Sequence, residues 1–364
     1  MIFNYKTYFL SLFILIGFFC SCADKFDLND LGNDDGGGNV TGDTVYVRIN
    51  PIWEGYNKPQ DVMVGREPFI YVADTDNDRI VLLNLDGQIL GTKAIQRPVA
   101  LAQDYRLNLI VCAQFDTVIS GQPQTYSAVY KLDLVSVNHQ IELAPVKRIL
   151  PRSQDFAQPL REYTGACVFY DNSYLISRKG PNNSNLIDPD NVVLIFVQKK
   201  LSDGSYKDSL VGRVPLLDPT GSGIMSANQI SSLTSFNSRN FNINITLIGD
   251  NSFKFQPLEY ISSPDFTGYR IALQPLSRDL MMPGIFSRPE GSALDNSFNI
   301  FIADAGSDTV YKFNSFGDKL QTIGGSDDQK LSQPSGVAFF NKTVYVADTG
   351  NNRILRFILS TELQ

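Results

Sequence analysis

The stretch Tyr71-Val72-Ala73-Asp74-Thr75-Asp76-Asn77-Asp78-Arg79-Ile80 returns almost unchanged as Tyr345-Val346-Ala347-Asp348-Thr349-Gly350-Asn351-Asn352-Arg353-Ile354. A looser copy is Phe301-Ile302-Ala303-Asp304-Ala305-Gly306-Ser307-Asp308-Thr309-Val310. Each copy is an apolar run, a polar turn and a second apolar run, which is two strands and their connection. A shorter strand precedes each copy: Pro59-Gln60-Asp61-Val62, Pro289-Glu290-Gly291-Ser292-Ala293 and Pro334-Ser335-Gly336-Val337-Ala338. After the first copy, Leu85-Asp86-Gly87-Gln88 supplies an Asp-Gly hairpin turn. No segment sustains the 3.6-residue apolar period of a helical domain. The body, 44–364, is therefore predicted to be all-β and one domain, although 364 residues would suggest two by length alone.

Between these copies, a small residue before a turn marks weaker ones. Ala73, Ala113, Ser177, Gly249, Ala303 and Ala347 give six candidates. Each is followed by an apolar pair three apart, as in a twisted or bulged strand: Ile80/Leu83, Val129/Leu132, Val193/Phe196, Leu258/Ile261, Val310/Phe313 and Ile354/Phe357. The unit resembles the NHL repeat, and the resemblance implies a six-bladed β-propeller. The final copy ends near Ser360 without an outer strand, while Thr44-Val45-Tyr46-Val47-Arg48-Ile49 alternates with period two. That N-terminal strand is predicted to complete the last blade and hide its edge.

The start of the chain carries an address. The apolar run Phe9–Phe19 is too short for a membrane-spanning helix and fits a secretory signal. Phe19-Cys20-Ser21-Cys22 resembles the bacterial lipoprotein cleavage box, which makes 1–21 the signal peptide and Cys22 the lipidated residue. Residues 22–43 are acidic and Gly-rich, with almost nothing apolar to bury, and read as a tether. Asp24-Lys25-Phe26-Asp27 resembles the export signal of surface lipoproteins in the Bacteroidetes. The resemblance implies an outer-membrane lipoprotein, facing the periplasm or the cell surface and held by its acyl chains. Cys112 and Cys167 sit in apolar, strand-like runs and are expected to be buried free thiols, with a disulfide as the other arrangement.

Charge narrows the function. Lys plus Arg is 31 against 38 Asp plus Glu, net −7, which argues against a nucleic-acid partner. The single histidine, His139, excludes a multi-histidine zinc site. No nucleophile elbow, phosphate loop or zinc spacing is present, so no catalytic residue, metal ligand or cofactor is assigned. Calcium is the one ion suggested, by the alternate carboxylates Asp74, Asp76 and Asp78, which fit turn capping better. Arg79 and Arg353 share a repeat position suited to a carboxylate or carbonyl within the blade.

The residue before the inner-strand proline is Lys58, Arg97, Arg288 and Gln333 in four copies; Arg161-Glu162-Tyr163 departs in the third. Innermost strands line a propeller channel, so these four are expected to converge on one mouth and attract an anionic ligand. Asp61, Glu162 and Glu290 are placed to neutralise them instead. The long insertions 151–162, 179–191, 199–228 and 251–283 fall in the middle blades. Trp53, Tyr163, Tyr170 and Tyr174 offer aromatic surface for sugars or for the core. Asp-Thr-Val at Asp43, Asp116 and Asp308 resembles the O-glycosylation motif of Bacteroidetes exported proteins.

The expectation is a monomeric propeller, anchored to the membrane by lipid, that binds or scaffolds an envelope protein or glycan. The alternative is a metal-dependent hydrolase or lyase working at the channel mouth.

Overall fold

The computed structural model describes residues 45–185, 187–272, 279–325 and 329–363. The expected signal peptide 1–21 and the whole expected tether 22–43, Cys22 included, lie outside them. The described chain forms six four-stranded antiparallel sheets. The first strand, β1 (Tyr46–Trp53), belongs to the last of them. Blade 1 is β2 (Pro59–Val64), β3 (Ile70–Asp74), β4 (Arg79–Leu83) and β5 (Ile89–Ala94). Blade 2 is β6 (Ala100–Gln103), β7 (Leu109–Ile119), β8 (Gln122–Leu132) and β9 (Val146–Leu150). Blade 3 is β10 (Glu162–Val168), β11 (Tyr174–Lys179), β12 (Val192–Lys200) and β13 (Tyr206–Arg213). Blade 4 is β14 (Ile230–Ser235), β15 (Ile243–Leu247), β16 (Phe255–Ser262) and β17 (Thr267–Ile271). Blade 5 is β18 (Pro289–Leu294), β19 (Ile300–Asp304), β20 (Thr309–Phe313) and β21 (Lys319–Ile323). Blade 6 is β22 (Pro334–Phe340), β23 (Thr343–Asp348), β24 (Arg353–Leu359) and β1.

Burial on both faces explains the nearly continuous apolar runs of the second strands. In β3, Ile70 and Val72 enter the gap toward blade 6, while Tyr71 and Ala73 enter the gap toward blade 2. In β23, Val344 and Val346 face blade 5, and Tyr345 and Ala347 face blade 1. The core is thus divided into six apolar clusters, one in each gap between neighbouring blades. No single cluster suffices alone, which is why the ring has to close.

Closure is made by β1, as its alternating pattern predicts. Tyr46 pairs with Leu359, Arg48 with Phe357 and Trp53 with Ile354, antiparallel to β24. The Trp53 indole then covers Gly87, where φ is +89° and any Cβ would collide with the ring. The predicted Asp-Gly turn therefore also makes room for the seam between blades 6 and 1.

Register refines the repeat. Ala73, Ser177, Ala303 and Ala347 hold equivalent positions, opposite Asp61, Gly165, Gly291 and Gly336 of the innermost strands. In blade 2 this position is Cys112, opposite Ala100, so the marker is one residue before Ala113. In blade 4 it is Thr246, opposite Ser232, and not Gly249, which lies beyond β15. The apolar pair of blade 4 is accordingly Phe255 and Leu258, both buried, in place of Leu258 and Ile261. In four blades a bulge falls inside or just before the second member of the pair, as at Leu82/Leu83 and Lys312/Phe313.

Candidate site at the axial cavity

The repeated turn is a structural clamp. Asp74 is fully buried; its Oδ1 accepts the Asn57 N–H at 2.7 Å, and its Oδ2 accepts Arg79 Nε at 2.7 Å and Asn77 Nδ2 at 2.9 Å. Asp348 repeats this with Ser332 N–H, Arg353 Nε and Asn351 Nδ2 at 2.7, 2.7 and 2.9 Å. Asp304 accepts the N–H groups of Ser287 and Arg288 at 2.8 and 2.6 Å. Each clamp carboxylate is thus hydrogen-bonded within its own blade. Asp76 and Asp78 turn away from Asp74: Asp76 pairs with Arg97 at 2.7 Å, and Asp78 Oδ1 accepts the Arg97 N–H at 2.9 Å. Among the described residues, no three His, Cys, Asp or Glu side chains gather in metal-binding geometry.

The turns also join successive blades. Asp78, Asp308 and Asn352 each cap a turn and accept the N–H of Arg97, Gln333 and Lys58 in the next blade, at 2.9, 2.7 and 2.9 Å. The last of these crosses the seam. Thr349 Oγ1 crosses it again, donating to the Pro59 carbonyl at 2.6 Å.

These bonds hold Lys58, Arg97 and Gln333, and Asp304 of its own blade holds the Arg288 N–H; the four stand at equivalent positions just before β2, β6, β22 and, for Arg288, β18. Glu162 and Gln229 hold the same position in blades 3 and 4. All six stand at the end where the innermost strands begin, here the upper mouth. The ring is not uniformly cationic. Arg97 pairs with Asp76, Arg288 with Glu290 at 3.1 Å, and Glu162 with Lys179 at 3.1 Å. Lys58 has no ion-pair partner among the described residues. Of the three carboxylates expected to neutralise the ring, Glu290 touches a ring cation, Glu162 pairs with Lys179, and Asp61 lies deeper.

Two residues beyond each of the four begins an axial cavity of about 720 Å³, lined by all six innermost strands. Register shifts in five of these strands leave Gln60, Thr164, Ser231, Glu290 and Ser335 as extra residues, and all five line the cavity. Such bulges re-aim side chains. Three of them bridge to the next blade: Thr164 to the Ile230 carbonyl, Ser231 to the Pro289 carbonyl and Ser335 to the Gln60 carbonyl, each at 2.7 Å.

Two acids belong to the upper half of the cavity. Burial pushes the Asp61 carboxyl up to about 7, against the opposing pull of the Leu101 and Val62 N–H groups. Burial raises Glu290 too, with Arg288 acting against it. Asp61 thus lies in the range in which a carboxyl exchanges protons near neutral pH.

The lower half was not foreseen from sequence. Arg66, Phe236, Asn237, Asn296, Phe298 and Asn341 line the cavity where the innermost strands end. They come from loops in four different blades, and only closure of the ring assembles them. One local signal existed. Asp104…Asn108 and Asp295…Asn299 are the same turn, in which the Asp Oδ1 accepts two backbone N–H groups. The turn sets Leu107 and Phe298 in left-handed backbone, at φ +64° and +61°.

The other expected features sort by burial. Trp53, Tyr163 and Tyr174 are core residues, whereas Tyr170 is 39% exposed and packs on Phe241. Cys112 and Cys167 are buried and free. Thr309 of the third Asp-Thr-Val is buried. The insertion 179–191 is anchored by a reversal of the clamp charges. Arg178 stands where other blades place Asp74 or Asp348, and donates to Asp188 at 2.7 Å. Arg161 joins it, donating to Asp188 at 2.8 Å and to Asp190 at 2.7 Å.

Residues 331–357 match the NHL repeat. This chain carries an NHL repeat in a six-bladed β-propeller. A comparison with curated protein sequences returns no match. Among solved structures, the fold is similar to a gluconolactonase from Xanthomonas campestris (11% identity, TM-score 0.53, 87% of this chain and 90% of that one). It is similar to an auxiliary nutrient binding protein from Bacteroides thetaiotaomicron (10% identity, TM-score 0.55, 84% and 70%). It is also similar to the PQQ-bound aldose sugar dehydrogenase from Streptomyces coelicolor (11% identity, TM-score 0.54, 87% and 99%). At these identities the likeness is one of fold, and the site has to be argued from its own residues.

Proposed function

We propose that this protein is a binding or scaffold module of a bacterial envelope, tethered by lipid at Cys22, that takes a protein or glycan at its axial cavity. The observation that carries the binding role is the cavity itself. It is walled by every blade, lined by hydroxyls, amides and small side chains, and flanked at its upper mouth by Lys58, Arg97, Arg288 and Gln333. Clefts with a few placed polar groups are the usual seat of ligand recognition. The nutrient-binding neighbour from Bacteroides thetaiotaomicron is compatible with that role.

A second reading, a hydrolase or lyase, rests on Asp61 and Glu290, two acids lining one cavity whose carboxyls burial raises above their ordinary range. One experiment separates the two. The full chain is assayed for binding to envelope proteins and polysaccharides, and for turnover of lactones and glycosides with and without added divalent metal. Binding that disappears when the cavity is filled by Thr234→Trp, without turnover, supports the module. Turnover abolished by Asp61→Asn or Glu290→Gln supports the enzyme. Anchoring is tested separately, by incorporation of an alkyne fatty acid that Cys22→Ala prevents.

A further inference from the structure

The lower mouth is built unlike the upper. Arg66 leaves blade 1 with its guanidinium carbon 3.3 Å from the centre of the Tyr105 ring of blade 2. Its Nη1 reaches the Asn237 Oδ1 at 3.5 Å, and the Tyr105 hydroxyl reaches the same oxygen at 3.5 Å. Asn237 follows β14 of blade 4, which stands opposite blade 1 in a ring of six. The three side chains therefore cross the axis. Both contacts to Asn237 are at the long limit of a hydrogen bond and are cheaply exchanged for better ones. Beside them Phe298 of blade 5 is 41% exposed and leans on Phe236, ring centres 5.6 Å apart. The side-chain amides of Asn296 and Asn341 line the same cavity and make no hydrogen bond to another described residue.

An uncharged aromatic face beside amides with spare donors and acceptors matches one ligand chemistry well. A pyranose ring offers an apolar C–H face to stack and hydroxyls that both donate and accept. A phosphorylated ligand fits poorly, because Arg66 is already engaged by Tyr105 and the Gln103 carbonyl, and Asp295 lines the same end. We propose that the lower mouth binds a neutral saccharide residue. Phe298 and Phe236 take its C–H face, Asn296 and Asn341 take its hydroxyls, and Asn237 is drawn from its long contacts toward the sugar. This rests on the reading above that the axial cavity receives a ligand, and it names the ligand class and the end.

The test uses the full chain with gluco-, manno-, galacto- and xylo-oligosaccharides, read by saturation-transfer NMR and calorimetry. Binding of at least one series is expected. Phe298→Asn, which suits the left-handed backbone, should weaken it tenfold or more, Asn341→Ala should weaken it threefold or more, and Phe298→Trp should preserve it. Lys207→Ala, exposed on the outermost strand of blade 3, should leave it unchanged. Saccharide binding that depends on Lys58 or Arg288 and not on Phe298 overturns the lower-mouth assignment while leaving the cavity reading intact. Binding of an envelope protein without any of these sugars overturns the saccharide class. No ligand of any kind at the cavity removes the proposed function as well.

Discussion

Gly336 lies so close to Asp61 that a Cβ added there would stand 2.7 Å from the Asp61 Cα. The two occupy equivalent positions in adjacent innermost strands, one on each side of the seam. Gly291 meets the Ser335 carbonyl in the same way one blade earlier. Gly336→Ala has no slack, because the obstacle is backbone. It should destabilise the fold by about 1–3 kcal/mol, seen as a lowered Tm, whereas Gly121→Ala meets nothing within 4 Å. The second variant still pays for its left-handed φ of +79°, so the comparison is made against a third, Gly223→Ala, which is open and unstrained.

Asp61 sets a pH dependence whose sign follows from its burial. Its carboxyl is raised from 3.8 to about 7 in the folded chain, so the folded state holds the proton more tightly than the unfolded state does. Its contribution is most favourable below about pH 4, declines between about pH 4 and 7, and stays at its low value above that. Asp61→Asn keeps an oxygen for the Leu101 N–H and loses the titration. It should raise stability at pH 8 by roughly 1–3 kcal/mol, a figure discounted for water in the cavity, and flatten the profile between pH 4 and 7. Chemical denaturation across that range measures both.

The clamp carboxylates hold their turns through hydrogen bonds. Asp348→Ala strands Arg353, Asn351 and the Ser332 N–H at once. A loss of about 2–4 kcal/mol is expected, with a similar loss for Asp74→Ala. Denaturant midpoints against wild type would show it.

In blade 3, Arg161→Ala leaves Asp190 buried without its cation. The expected cost is about 3–5 kcal/mol. Limited proteolysis should then cut within 179–191 faster than in the wild type.

Cys112 and Cys167 are buried free thiols whose pKa values burial drives up, against a weak backbone contact to Leu175 at Cys167. Neither should react with a maleimide until the ring opens, so labelling follows global unfolding with no early phase. Rapid modification of either in native buffer would contradict the packing.

How much of this the residues disclosed beforehand depended on repetition. Blades 1, 5 and 6 could be read directly, since the clamp Asp and its neighbours recur almost verbatim, and the alternation of Val45–Ile49 pointed to the seam. Blade 2 slipped by one because Cys112 serves as the small residue where an Ala was sought. Blade 4 slipped by three because Thr246 fills that place and Gly249 merely follows the strand. Arg178 hid the third clamp by inverting its charge. The four upper-mouth residues were placed by register alone; Glu290 was already expected to neutralise them, whereas the Arg97 pair with Asp76 emerges only in the folded structure. Phe298, Asn237 and Arg66 are over 50 residues from one another in sequence and meet only across the axis, so no local pattern could unite them.

The pairing of β1 with β24 has a mechanical consequence. Any tension arriving along the chain before Val45 is borne first by this outermost strand, whose loss would expose Trp53, Tyr56 and the apolar wedge shared with blade 1. The strand acts as a latch under load: a force strong enough to strip it would open the closed ring at one defined place, with the other five blades still internally paired.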